Sequence, residues 1–237
     1  MPLVKDIHSV ENQSKANYDF DKMADSYDNW YGSAAGQMYD RLEKKTFDSF
    51  AGDHNSGKQL LEIGCGTGHW SRFFSEKGFE VTGIDISEEM VKAANKKNIP
   101  HCHFHVSDGQ NLSFFDNSFD VAAAVTTLEF AKNPQRIISE MARCVKPKGK
   151  LLFGVLNSLS AYNQKRQMNA NSVYAYGQLF SPKQLQNLLE LFGKVSIRVS
   201  GFAIRNEWLI WLSPFWELLC RAVDSKKGAF IAAKVQL

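Results

Sequence analysis

The sequence predicts an α/β protein: a mostly parallel, seven-stranded sheet with helices on both faces and a helical cap contributed by the N-terminal segment and an insertion. Three observations predict it. From residue 58 onward, short apolar runs alternate with helix-periodic stretches, the pattern of a parallel sheet covered on both sides. The first run, LLEIGCGTGHW at 60–70, ends in three glycines crowded into five positions, where a strand must turn sharply into a helix. The length of 237 residues suits one domain with a large core.

The elements follow in order. KQLLEI (58–63) is the first strand, and the helix after the glycines, roughly 68–77, puts Trp70, Phe73 and Phe74 at core spacing. FEVTGID (79–85) is the second strand. In the helix after it Ser87 is placed to cap the N-terminus, with Glu88 and Glu89 in the positively polarised first turn. HCHFHVSD (101–108) and SFDVAAAV (118–125) are the third and fourth strands. Asn133 caps the next helix and Pro134 opens it, where a missing N–H costs nothing; KPKG (146–149) ends it. KLLFGVLN (150–157) is an apolar fifth strand. In SPKQLQNLLELFG (181–193) Ser181 and Gln184 form a capping box, and Gly193 closes the helix behind the stripe Leu185, Leu188, Leu189 and Phe192. SIRVSGF (196–202) and GAFIAAKV (228–235) supply the last two strands.

Read as domains, 1–237 is one unit. Residues 1–50 form a helical cap, 58–156 the ligand-binding core and 181–237 the rest of the sheet, with insertions at 157–180 and 202–221.

Composition excludes several classes. With 44% hydrophobic and 22% charged residues the chain is an ordinary globular one, and a net charge of +3 with scattered lysine pairs gives no nucleic-acid footprint. The N-terminus lacks a secretory apolar core, and WLIWLSPFWELL is too short, and too broken by Pro214 and Glu217, to span a membrane. The four cysteines make no CxxC pair and lie in segments that read as buried, so a reducing, cytoplasmic setting is expected.

The glycines and acids carry the chemistry. A dinucleotide fingerprint reads G-x-G-x-x-G, its pyrophosphate resting on the helix N-terminus. Gly64, Gly66 and Gly68 give G-x-G-x-G, and His69 stands where the third fingerprint glycine belongs. Glu62 lies in the end of the first strand. Asp85 ends the second, 21 residues after Gly64, where a carboxylate accepts ribose hydroxyls; Asp108 ends the third. Three carboxylates along one crevice repel a diphosphate and suit a cationic adenosyl ligand, as S-adenosylmethionine is.

In LLEIGCGTG, VTGIDIS and DGQNLSFFDNSFDVA, over about residues 17–156, the chain resembles the class I S-adenosylmethionine-dependent methyltransferases, similar to the small-molecule group that includes the ubiquinone/menaquinone enzymes. The resemblance implies a Rossmann-like sheet of order 3-2-1-4-5-7-6 with the last strand antiparallel. It implies that Gly64, Gly66 and Gly68 pass the methionine end and ribose, and that Glu62 helps hold the ammonium. Asp85 would take the ribose hydroxyls, and Ile86 would pack on the adenine. Asp108, beside Gly109, would accept from the adenine amino group, and Thr126 would lie under the methionine end. In FDKMADSYDNWYG, Tyr27 would close over the cofactor. The product would be S-adenosylhomocysteine, with no metal required.

Other motifs are weaker. HCHFHV puts His101, His103 and His105 on one strand face, but the third strand of such a sheet is an edge that tolerates polar side chains, so no metal is expected. The stretch 202–219 places Trp208, Trp211 and Phe215 at helical spacing and reads as core, homodimer contact or substrate lid. A lid would join Trp208 and Trp211 to Tyr18, Trp30 and Tyr174. Methyl transfer needs alignment more than a base. Glu129, in TTLEFAKNP, is the candidate catalytic acid–base group for a small-molecule acceptor. The absence of an [Asn/Asp]-Pro-Pro-[Tyr/Phe] motif in that loop argues against an aminated nucleobase. A non-catalytic module binding the same cofactor and a nucleotide-dependent oxidoreductase are the alternatives.

Overall fold

The computed structural model describes residues 18–52, 55–202, 217, 220 and 225–237. Its seven strands are β1 (Gln59–Ile63), β2 (Glu80–Asp85), β3 (Cys102–Val106), β4 (Phe119–Val125), β5 (Val145–Leu156), β6 (Lys194–Ser200) and β7 (Phe230–Gln236). They lie in the order β3-β2-β1-β4-β5-β7-β6, as expected. β7 runs antiparallel to both β5 and β6, and the remaining pairings are parallel.

The period of two along each strand divides the core into two layers. Leu61 and Ile63 face one side, with Met141 of α6 (Pro134–Cys144) and Leu185 of α8 (Pro182–Leu189). Leu60 faces the other, with Phe47 of α3 (Ala34–Ala51) and Trp70 and Phe74 of α4 (His69–Glu76). There Trp70 lies 5.2 Å from Phe47 and stacks parallel on Phe230, so α3 is fastened to the helix that follows the glycine turn.

Caps form where the residue types ask for them. Ser87 caps α5 (Glu88–Lys96), Asn133 caps α6, and Ser181 with Gln184 closes the capping box of α8. α8 stops at Leu189, four residues before Gly193. That glycine instead lets β6 approach β7, since a Cβ there would lie 2.3 Å from the Gln236 carbonyl oxygen. KPKG does not simply end α6. It belongs to an irregular start of β5, where the register slips between Phe119 and Val121 and Lys148 adopts φ 66°.

Two further differences matter. His101 lies outside β3 with φ 57°, so only His103 and His105 share a strand face, both exposed on the edge. The polar insertion contains a helix, α7 (Ala161–Met168), and a 3-10 turn at Val173–Ala175. Its weak periodicity hid it, because α7 is held by polar and cationic contacts more than by an apolar stripe. Cys65 and Cys144 are buried, whereas Cys102 and Cys220 are half-buried. No described helix is long and apolar enough to cross a membrane.

Candidate functional site

The glycine turn is locked to the end of β2. Gly64 and Cys65 both donate to the Ile84 carbonyl at 2.8 and 2.9 Å, and Gly66 N–H donates to Asp85 Oδ2 at 2.8 Å. Asp85 Oδ1 accepts from Ser87 N–H at 2.9 Å, so backbone donors orient both oxygens and leave their outer lone pairs for a ligand. Burial raises the Asp85 pKa, against the lowering pull of those N–H groups.

The three glycines share positive φ of 70°, 51° and 81° but not one purpose. A Cβ on Gly64 would lie 2.4 Å from Thr127 Oγ1, and one on Gly68 would lie 2.8 Å from Ile99 Cδ1. Above Gly66 the nearest atom is Tyr27 Cε1 at 3.9 Å. Gly64 and Gly68 are therefore packing glycines, whereas Gly66 has room for a Cβ in ordinary contact with Tyr27, which lies over its bare backbone. Bare backbone beside an oriented carboxylate suits the uncharged sugar and short chain of an adenosyl ligand, with Tyr27 the side chain that would have to give way.

The other acids sit differently. Glu62 is 2% exposed and faces α4, where Ser71 Oγ donates to its Oε2 at 2.5 Å; burial pushes its carboxyl up to about 8. Asp108 is exposed, closing a turn through Gln110 N–H, and Ile86 is 68% exposed beside the same crevice. Gly109 packs on the end of β1, where a Cβ would lie 2.6 Å from Ile63 Cγ2.

The N-terminal segment closes this crevice with polar contacts that sequence reasoning missed. Asp21 Oδ1 accepts from Ser87 Oγ at 2.5 Å, at the head of α5. Asp28 accepts from Thr67 Oγ1 at 2.7 Å and pairs with Lys97 at 2.6 Å. His69 Nε2 lies 2.7 Å from Asp40 Oδ1 and 3.0 Å from Lys44 Nζ, its ring stacked 3.5 Å from Tyr31. That nitrogen donates to Asp40 or accepts from Lys44, and Lys44 closes the trio through Asp40 Oδ2 at 2.9 Å. The only signal in the sequence was a histidine in a glycine's place.

Beyond Tyr27 opens a small cleft, at the ends of β4 and β5 and under α3 and α7. Thr126, at φ 50°, forms its floor with Leu156. Trp30 and Tyr174 come together in its wall, and the Arg166 guanidinium lies 3.6 Å from the Tyr174 ring centroid. Glu43 also lines the cleft, and burial pushes its carboxyl up to about 8 although Arg166 pulls it down. Asn163 is 1% exposed; its Nδ2 donates to the Asn157 and Ala229 carbonyls at 3.1 and 2.6 Å, and its Oδ1 is buried without a partner.

Glu129 is 2% exposed and does not line the cleft; its Oε1 accepts from Leu156 N–H at 2.6 Å while its Oε2 is buried and unpartnered. Burial raises it to about 7. Tyr18 packs at 5.1 and 5.3 Å on Phe20 and Tyr176, beside the cleft lining and not within it. Trp208 and Trp211 lie outside the described residues. Among the described residues no three His, Cys, Asp or Glu side chains gather as metal ligands; His101 pairs with Glu80 at 2.9 Å.

Comparison with known proteins bears on this geometry. A family model described as a methyltransferase domain matches residues 34–195. An uncharacterised protein of Methanocaldococcus jannaschii is 31% identical over 185 residues, 76% of this chain and 83% of its own. A ubiquinone biosynthesis O-methyltransferase of Coxiella burnetii is 27% identical over 166 residues, 64% of this chain and 71% of its own. A Thermotoga maritima structure, an S-adenosylmethionine-dependent methyltransferase named as a possible histamine N-methyltransferase, shares the fold. It superposes with a TM-score of 0.72 at 21% identity, covering 92% of this chain and 97% of that one.

Proposed function

Because this chain belongs to the methyltransferase domain family and is an S-adenosylmethionine-dependent methyltransferase, we propose that its glycine turn holds the methyl donor and its aromatic cleft a small-molecule acceptor. The observation that carries this division is the bare backbone at Gly66, bonded to the oriented Asp85 and covered by the one side chain of Tyr27. When bound, the donor supplies an electrophilic methyl on a sulfonium. Asp85 accepts the ribose hydroxyls, Ile86 lies against the adenine, and Asp108 accepts from the adenine amino group beside Gly109. Gly64 and Gly68 shape the turn, and Gly66 passes the methionine end. Thr126 and Tyr27 bound that end from below and above. Glu62, bonded to Ser71 behind the turn, holds its proton near neutral pH and would help hold the ammonium only as an approaching cation draws its raised pKa down.

The acceptor's proton needs a destination when the nucleophile arrives protonated. Glu129 has an unpartnered oxygen but stands behind the cleft wall, whereas Glu43 lines the cleft itself. We assign the proton to a Glu43 oxygen and give Glu129 the positioning of Leu156. Trp30 and Tyr174, with Tyr18, exclude water from the cleft. All four cysteines are unpaired, which supports a reducing, cytoplasmic setting.

The test is calorimetry with S-adenosylhomocysteine, followed by a screen of metabolite pools read by mass spectrometry for the gain of one methyl. One saturable site and donor-dependent methylation are expected. Tight NAD(H) binding with none to S-adenosylhomocysteine would sink the reading.

A further inference from the structure

Arginines elsewhere in this chain show what a satisfied guanidinium looks like. Arg143 on α6 donates to the Phe114 and Leu112 carbonyls and to Asp116 and Glu140, at 2.6–3.2 Å. Arg166, half-buried on α7, makes no such bond among the described residues. Its planar head lies 3.6 Å from the centroid of Tyr174 and 5.1 Å from those of Trp30 and Tyr162. Ring faces hold the plane by cation–π attraction and leave its five edge N–H donors unmet. One helical turn away, Asn163 Oδ1 is the buried acceptor without a donor, in the lining of the same cleft.

We infer that the cleft takes an anionic methyl acceptor, its carboxylate or phosphate held in-plane by Arg166 and its N–H or O–H directed to Asn163 Oδ1. The inference rests on the cleft being the acceptor site proposed above. Three physical points favour it over the other charge types. A cationic acceptor would meet the like charge of the protein's own guanidinium, which already lies over Trp30, Tyr162 and Tyr174. An apolar acceptor would strip water from five donors and return nothing. An oxyanion meets them edge-on in the bidentate geometry that a guanidinium offers, while the rings keep the head from turning away. Glu43 opposes this field only in part, because burial raises its carboxyl's pKa against the pull of Arg166. The acceptor oxygen of Asn163 then finds the donor it lacks, since its two Nδ2 hydrogens are already committed.

The experiment uses the full chain saturated with S-adenosylhomocysteine and four small phenyl probes. Two are anions, 4-hydroxybenzoate and phenyl phosphate; 4-hydroxybenzyl alcohol is neutral and 4-hydroxybenzylamine cationic. Dissociation constants come from calorimetry, with the chain's tryptophan emission as a second signal. At least one anion is expected to bind about tenfold or more tightly than the neutral and cationic probes. The tighter of the two anions identifies carboxylate or phosphate. Arg166→Gln is expected to erase the preference and Arg166→Lys to keep part of it, both with unchanged S-adenosylhomocysteine affinity, which also reports that the variants fold. Binding of the neutral or cationic probe as tightly as the anions overturns the inference. So does binding of neither anion, or an anion preference that survives in Arg166→Gln. Failure of S-adenosylhomocysteine itself to bind would instead strike the assignment of the glycine turn.

Discussion

His69 Nε2 lies 2.7 Å from Asp40 Oδ1, joining the first residue of α4 to the middle of α3. The bond ties the N-terminal cap to the helix that opens directly from the glycine turn. Both side chains are about one-fifth exposed, so solvent screens the contact only in part. Asp40→Ala is expected to cost about 1–3 kcal/mol of local stability and leave the sheet intact. Hydrogen exchange should show faster opening of 24–51 with β1, β4 and β5 unchanged. S-adenosylhomocysteine affinity should fall several-fold, because Tyr27 and Tyr31 ride on the same segment.

Gly66 and Gly64 separate binding from packing. Gly66→Ala meets no atom nearer than 3.9 Å, so the fold bears only the strain of a left-handed alanine, about 1–2 kcal/mol. S-adenosylhomocysteine binding should nevertheless drop by about tenfold or more, because the methyl takes the space through which the ligand would approach the bare backbone. Gly64→Ala drives a Cβ into Thr127 and should lower the melting temperature more than Gly66→Ala does. Thermal melts with and without ligand check both; an equal melting loss in the two variants contradicts the division.

Asp85→Ala removes the acceptor of Gly66 N–H and Ser87 N–H together with the proposed ribose contacts. A loss of about tenfold or more in S-adenosylhomocysteine affinity is expected, read by calorimetry. Asp85→Asn keeps one carbonyl oxygen and should fall between the two. Unchanged affinity in Asp85→Ala would remove the ligand from this crevice.

Glu62 links pH to stability. Its carboxyl titrates near 8 in the fold and near 4.5 when unfolded. Between those values the folded chain holds a proton that the unfolded chain has released, so its contribution declines as pH rises from about 5 toward 8. Glu62→Gln keeps an acceptor for Ser71 Oγ and loses the titration. Melting temperature should therefore fall with pH less steeply in this variant than in the native chain over that window.

Glu43 predicts the profile of the reaction. Its carboxyl is raised to about 8 by burial, with Asp40 and Glu129 raising it further and Arg166 and Lys44 opposing them. If it takes the acceptor's proton, turnover should climb with pH toward 8 and level off above it. Glu43→Gln should flatten that limb and lower kcat by about 100-fold, the lower range for a lost base, with S-adenosylhomocysteine affinity preserved. The same limb persisting in Glu43→Gln and vanishing in Glu129→Gln would return the role to Glu129.

Residues with only local partners were legible in advance. Ser87, Asn133 and the Ser181–Gln184 box cap helices through neighbours three positions away, and the sequence states that spacing directly. The strand order followed from linked motifs in their order along the chain. Asp85 and the glycine turn were legible for the same reason, since each lies at a strand end that its own segment defines. Glu129 was assigned from its loop alone, and loop position does not reveal that its Oε1 is engaged with Leu156, 27 residues on.

The sequence by itself determined the α/β sheet, because period-two apolar runs, caps and crowded glycines are short-range statements about backbone, and its resemblance to the methyltransferases supplied the strand order. Only the tertiary structure decided what faces the donor's crevice. Glu43 lies on α3, Arg166 and Asn163 on α7 and Tyr174 beyond it, and no spacing along the chain encodes their meeting over Thr126. The raised carboxyl of Glu43 depends on burial in that packed cleft, a property that no single segment carries.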